Sequence, residues 1–162
     1  MRHKKIVDLK TLKEKIFKFR RQGRTIAFTN GCFDILHLGH VLYLQAAKIE
    51  DPILIIGLNS DQSIRKIKGP QRPILPEKAR ALLLASLECV DYVIIFNEET
   101  PLKLIRAVKP DILVKGADWR GKDVAGRAVV EAYGGRVKYV KYIAGYSTSR
   151  IIEKIIHAYC RK

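Results

Sequence analysis

Short apolar runs alternate along this chain with stretches whose apolar residues recur every third or fourth position. The runs are strand-sized: Thr25–Thr29 (TIAFT), Ile53–Leu58 (ILIIGL), Tyr92–Phe96 (YVIIF) and Asp111–Val114 (DILV), with Arg136–Val140 as a fifth. Continuously apolar runs of this length predict strands buried on both faces. Between them lie helical patterns. Asp8 caps a helix carrying Leu9, Leu12, Ile16, Phe17 and Phe19, and Gly23 ends it. Further helices are predicted from about Gly39 to Lys48, over Glu77–Glu88, over Thr100–Val108 and over Ser147–Tyr159. Thr100 is the expected cap of its helix, with Pro101 at the first helical position. Asn59–Pro76 holds three prolines and reads as a polar connecting segment.

Strand–helix alternation with apolar strands predicts a Rossmann-like, doubly wound α/β fold with a parallel five-stranded sheet. A length of 162 residues suits a single domain. Residues 1–23 are expected to form an N-terminal helical segment and residues 24–162 the catalytic core. Ligands of such sheets bind at the carboxyl ends of the strands. The loops after Thr29, Leu58, Val114 and Val140 therefore carry the candidate chemistry.

Composition narrows the class. Apolar residues make up 48% and charged residues 29%, as in ordinary globular chains. No apolar run is long enough for a membrane span, and no apolar stretch follows the basic Met1–Lys5, so neither a membrane association nor a signal peptide is expected. Cys32, Cys89 and Cys160 are odd in number and lack paired spacing. They suggest neither a disulfide framework nor a zinc site, and a reducing, cytoplasmic location fits. The net charge of +15 points to polyanionic partners, either nucleic acid or a multiply phosphorylated small ligand. Aromatic residues are 8% and form no array among the basic ones, so a nucleic-acid-binding module is the weaker reading. Most of the basic residues read as a solvated surface.

The loop after the first strand is Thr29-Asn30-Gly31-Cys32-Phe33-Asp34-Ile35-Leu36-His37-Leu38-Gly39-His40. Gly31 lets backbone approach a ligand, and the start of the next helix favours an anion. His37 and His40 lie three apart, so they can share one helix face, and Gly39 leaves room for a phosphate between them. Two imidazoles there suit a phosphoryl group on which charge builds up. The alternatives are ordinary surface histidines or a metal pair, and no third zinc ligand is evident. Ser147, Thr148 and Ser149 before the last helix are cap residues that also suit phosphate. Arg150 beside them is a candidate clamp on pyrophosphate. Lys68, Arg72 and Arg80, in and after a Lys-Gly-Pro-x-Arg-Pro loop, are candidates for neutralising substrate phosphates; a solvated loop is the plain alternative. After the fourth strand, Gly116 permits close approach to a base and Asp118 is placed for ribose hydroxyls or a base contact. Trp119 serves equally well as an apolar plug.

GCFDILHLGH resembles the signature loop of the HxGH nucleotidyltransferase superfamily, in its cytidylyltransferase-like branch. With RKIKGPQRPILPEKAR, LECVDYVIIFNEETPLKLIRAVKPDILVKGADW and YSTSRIIEKI, the likeness extends over roughly Thr11 to Ile156 and is strongest to the D-glycero-β-D-manno-heptose 1-phosphate adenylyltransferases. The resemblance implies catalytic roles for His37 and His40 on the transferring α-phosphate. It implies nucleotide binding by Thr29, Gly31, Cys32, Phe33, Asp34, Gly39, Gly116, Asp118 and the Ser147–Arg150 run, although Arg150 stands one place early for the family motif. It further implies ATP and a sugar 1-phosphate as substrates, Mg2+ bridging the ATP phosphates with no protein metal ligands assigned, a possible homodimer, and a role in lipopolysaccharide inner-core biosynthesis. The adenylyltransferase is expected to stand alone, its kinase on another chain. Cytidylyl transfer to glycerol 3-phosphate is the competing enzyme reading.

Overall fold

The computed structural model describes residues 3–141 and 145–160. Five strands form one wholly parallel sheet: β1 (Ile26–Gly31), β2 (Ile53–Asn59), β3 (Tyr92–Phe96), β4 (Ile112–Gly116) and β5 (Arg136–Val140), in the order β3-β2-β1-β4-β5. The expected Rossmann-like α/β architecture is the one found.

Helices cover both faces because each strand presents apolar residues alternately to the two sides. On one face α2 (Leu38–Ala47) and α4 (Glu77–Ala85) pack Leu44, Ala47, Ala81, Leu84 and Ala85 against Ala27, Leu54, Ile56 and Val114. On the other, α1 (Leu9–Arg21), α5 (Leu102–Val108) and α6 (Arg127–Ala132) pack against Phe28, Ile55 and Leu113. Asp8 caps α1 as expected, accepting from the Thr11 N–H at 2.8 Å.

Three local expectations need correction. The polar segment 59–76 contains α3 (Asp61–Lys68), capped by the Ser60 side chain. Its buried face is short, Ser63 and Ile64, so the apolar periodicity is too brief to register. The helix α6 was likewise unforeseen. At α5 it is Pro101, not Thr100, that occupies the cap position, and no side chain caps that helix. The last helix, α7 (Thr148–Tyr159), has Ser147 as its cap. Among the described residues, no helix is long and apolar enough to cross a membrane.

The order places the reversal of strand sequence between β1 and β4. These strands pair only at Ala27 with Ile112 and Phe28 with Leu113, whereas β1 and β2 pair over six positions. Beyond that short ladder the carboxyl ends of β1 and β4 exchange no further ladder pair, which opens a ligand cleft at the switch point.

Candidate active site

A cleft of about 700 Å3 lies over the carboxyl ends of the strands. The loop after β1 forms its centre. Two non-glycine residues there adopt left-handed backbone, Phe33 at φ 45° and Ile35 at φ 53°. For a β-branched residue such as Ile35 this conformation is costly and must be held by its surroundings. Asp34 does much of the holding. Its side chain is fully buried, and its carboxylate accepts from Arg72 Nε at 2.7 Å, from the Ile74 N–H at 2.9 Å and from the Leu75 N–H at 2.9 Å. Burial alone would push this carboxyl up; the hydrogen bonds from Leu75, Ile74 and Arg72 outweigh it and hold the group below its ordinary range. The Asp34 carbonyl also accepts from Thr148 Oγ1 at 2.6 Å. One residue thus joins the histidine loop, the basic loop and the start of α7.

His37 and His40 meet at the start of α2. Their rings stack with centroids 3.8 Å apart and planes 19° from parallel, and Phe33 lies 5.2 Å from His40. Burial pushes both imidazoles down from their usual range. For His40 burial and then the neighbouring His37 bring the value to about 4. Both rings are therefore neutral at pH 7, each with one N–H to donate. Both Nδ1 atoms are buried without a hydrogen-bond partner among the described residues. Gly39 was expected to leave room for a phosphate. Its structural reason is closer at hand: a Cβ there would stand 3.1 Å from Tyr146 Cβ and 3.2 Å from the His37 ring.

The remaining anticipated residues divide between the cleft and its support. Gly31, Cys32, Phe33, Lys68 and Arg72 line the cleft, as do Gly116, Asp118, Ser147, Thr148 and Ser149. A side chain on Gly116 would collide with Asp118 Oδ1, so the glycine allows the carboxylate to fold back over β4. Burial raises the Cys32 thiol above its usual value. Thr29 is buried behind the cleft, its Oγ1 2.8 Å from the Tyr43 hydroxyl. Arg150 is exposed and outside the lining.

Arg80 also requires correction as a cleft residue. It is fully buried, and its guanidinium donates to the carbonyls of Leu75, Cys32 and Asn59 and to Asp61 Oδ1 at 2.6 Å. The cation braces the loops from behind. Asn30, Tyr43, Asn59, Glu99 and Lys115 also line the cleft, and none of them stands out from the sequence as a site residue. Position at a strand end was the available signal for Asn30, Asn59 and Lys115.

Neutral paired donors in a loop held by Asp34, flanked by cations and a hydroxyl-bearing helix start, suit a reaction at a phosphoryl group. The sequence profile of a family described as Cytidylyltransferase-like matches residues 28–154. The chain belongs to that family. Membership makes this cytidylyltransferase-like protein a nucleotidyltransferase. Its curated relatives include bifunctional protein HldE of Trichlorobacter lovleyi, 52% identical over 155 residues, which are 96% of this chain and 32% of that protein. Bifunctional protein HldE of Helicobacter pylori is 55% identical over 153 residues, 94% of this chain and again 32% of the relative. The chain thus spans about a third of the length of these relatives. A crystal structure of the lipopolysaccharide core biosynthesis protein from Thermoplasma volcanium GSS1 is similar at 31% identity with a TM-score of 0.61, covering 74% of this chain and 96% of that one. Pantoate-beta-alanine ligase from Francisella tularensis, 16% identical, has the same fold with a TM-score of 0.64 over 97% of this chain and 79% of its own.

Proposed function

We propose that this chain transfers the AMP of ATP to D-glycero-β-D-manno-heptose 1-phosphate, giving ADP-heptose and pyrophosphate for the lipopolysaccharide inner core. The observation that carries the chemistry is the stacked, neutral His37–His40 pair at the start of α2. The choice of substrates is supported by the identity to HldE proteins over nearly the whole chain and by the resemblance of the KGPQRP and KGADW loops.

An oxygen of the sugar phosphate attacks the α-phosphorus in line. A new P–O bond forms as the bond to pyrophosphate breaks, and the electron pair leaves with pyrophosphate. His37 and His40 donate to the α-phosphoryl oxygens as their charge grows. The hydroxyls of Ser147 and Ser149, with the backbone at Thr148, receive the β- and γ-phosphates, and Arg150 is the clamp on pyrophosphate. Asp118 takes the ribose, and Lys68 with Arg72 neutralises substrate phosphates. Asp34 positions this set through its buried carboxylate and lines the cleft where the nucleotide is received. Mg2+ would enter with the ATP phosphates; no protein ligand is assigned to it, and Asp34 is already engaged with three donors. When bound it supplies neutralisation of phosphate charge. Cytoplasmic action without nucleic acid completes the reading, with a homodimer as the expected assembly.

Steady-state kcat/KM for ATP and CTP, each with heptose 1-phosphate and glycerol 3-phosphate, tests it. ATP with heptose 1-phosphate is the expected best pair. Higher efficiency with CTP and glycerol 3-phosphate would overturn the substrate assignment and leave the transfer chemistry intact.

A further inference from the structure

The chemistry above leaves Lys115 unused. This residue is 7% exposed yet lines the cleft at the end of β4. Its Nζ donates to Asn30 Oδ1 at 2.7 Å and lies 5.5 Å from the centre of the Trp119 ring. An ammonium has three donors. Among the described residues this one makes a single hydrogen bond, to a neutral amide, and no ion pair. Burial pushes it down to about 8, with Asp118 pulling the other way. A buried cation without a paired anion is costly. One that opens on a cleft is matched to an anion arriving from solution.

Strand alternation says which anion. Leu113 packs on the α1, α5 and α6 face and Val114 on the α2 face, so Lys115 points to the former side. Asn30, two residues after Phe28, points the same way. His37, His40 and the start of α7 lie on the opposite, α2 side, since Thr148 reaches the Asp34 carbonyl and Tyr146 packs on Gly39. In-line displacement needs the attacking oxygen and the leaving pyrophosphate on opposite sides of the α-phosphorus. With pyrophosphate held at α7, the attacking group approaches from the Lys115 side.

We infer that Lys115, anchored by Asn30 across the gap between β1 and β4, binds the phosphate of the attacking substrate. The inference rests on the nucleotidyl-transfer reading and adds the residue that selects a phosphorylated acceptor. Lys115 holds the non-attacking oxygens of that phosphate and offsets the repulsion between two anionic substrates. It takes no proton in the step. The charged form binds, so acceptor binding is strong below pH 8 and falls as pH rises through it. Other ionisable groups around it are Asp118, Tyr139 beside it on β5, Arg120 over the Tyr139 ring and Glu99 lining the same cleft.

The test is Lys115→Met, a neutral replacement of similar length. Inorganic phosphate is titrated calorimetrically into protein saturated with α,β-methylene-ATP, and KM is measured for heptose 1-phosphate and for ATP. Loss of a charge-assisted hydrogen bond predicts about 10- to 100-fold weaker phosphate binding and a matching rise in acceptor KM. The ATP KM is expected to stay within about twofold, because the triphosphate contacts lie elsewhere. In the wild type, acceptor kcat/KM falls between pH 7 and 9 and the variant shows no such limb. Equal losses for ATP and acceptor would overturn the inference, as would a flat wild-type profile, which decides the matter even if the variant fails to fold. Phosphate binding that depends on Lys115, with no turnover of heptose 1-phosphate, would sink the proposed substrate and uphold Lys115.

Discussion

At 3.8 Å between ring centres, two imidazolium ions would repel strongly, so His37 and His40 share one electrostatic problem. Burial solves it by keeping both neutral. The expected outcome of an NMR titration of the free protein is a midpoint for each ring below the usual 6.5, with His40 at about 4. The sign for stability follows. Between those values and 6.5 the unfolded chain binds protons that the folded chain refuses, so stability falls as pH drops through that window. A bound nucleotide phosphate should move both midpoints up, since an anion favours the charged rings. His37→Ala and His40→Ala are each expected to lower kcat about 100- to 1000-fold. Their melting temperatures should hold, which circular dichroism checks. Near-normal turnover in both folded variants would remove the pair from the mechanism.

Arg80 joins elements, with its guanidinium buried behind the cleft. It sits on α4 and ties the carbonyl of Cys32 after β1, that of Asn59 at the end of β2, that of Leu75 before α4 and the carboxylate of Asp61 at the start of α3. Replacing it with Met keeps the volume but strands four acceptors. The expected cost is roughly 3 kcal/mol, given the price of leaving buried polar groups unpaired. Urea unfolding measures it. A variant as stable as the wild type would show that water satisfies those carbonyls and that the brace is dispensable. Any loss of activity in Arg80→Met should accompany loosening of the Cys32 and Leu75 loops and not a change in substrate charge.

At the scale of the whole molecule the net charge of +15 meets substrates that are all anions. Such a field raises encounter rates and is screened over about 8 Å at physiological salt. Raising NaCl from about 20 to about 200 mM is therefore expected to lower kcat/KM several-fold while kcat changes little, because buried contacts such as Lys115 are screened much less. A salt-independent kcat/KM would mean that the surface cations play no part in capture.

Much of the architecture was legible because periodicity reports burial directly. Apolar runs located four of the strands, Arg136–Val140 (RVKYV) was read as the fifth without one, and strand–helix alternation required a parallel sheet. The GCFDILHLGH loop was legible too, because its glycines and histidines sit close together in the chain. Folding decided what depends on distant partners. Arg72 and Arg80 look alike in sequence, but Asp34 lies 38 residues from the one and the four acceptors bury the other. Lys115 was one of 31 basic residues until β1 and β4 brought Asn30, 85 positions away, within 2.7 Å of its ammonium. The pattern of a chain records which faces are buried. The value of a charge depends on what surrounds it, and only the tertiary structure sets those surroundings.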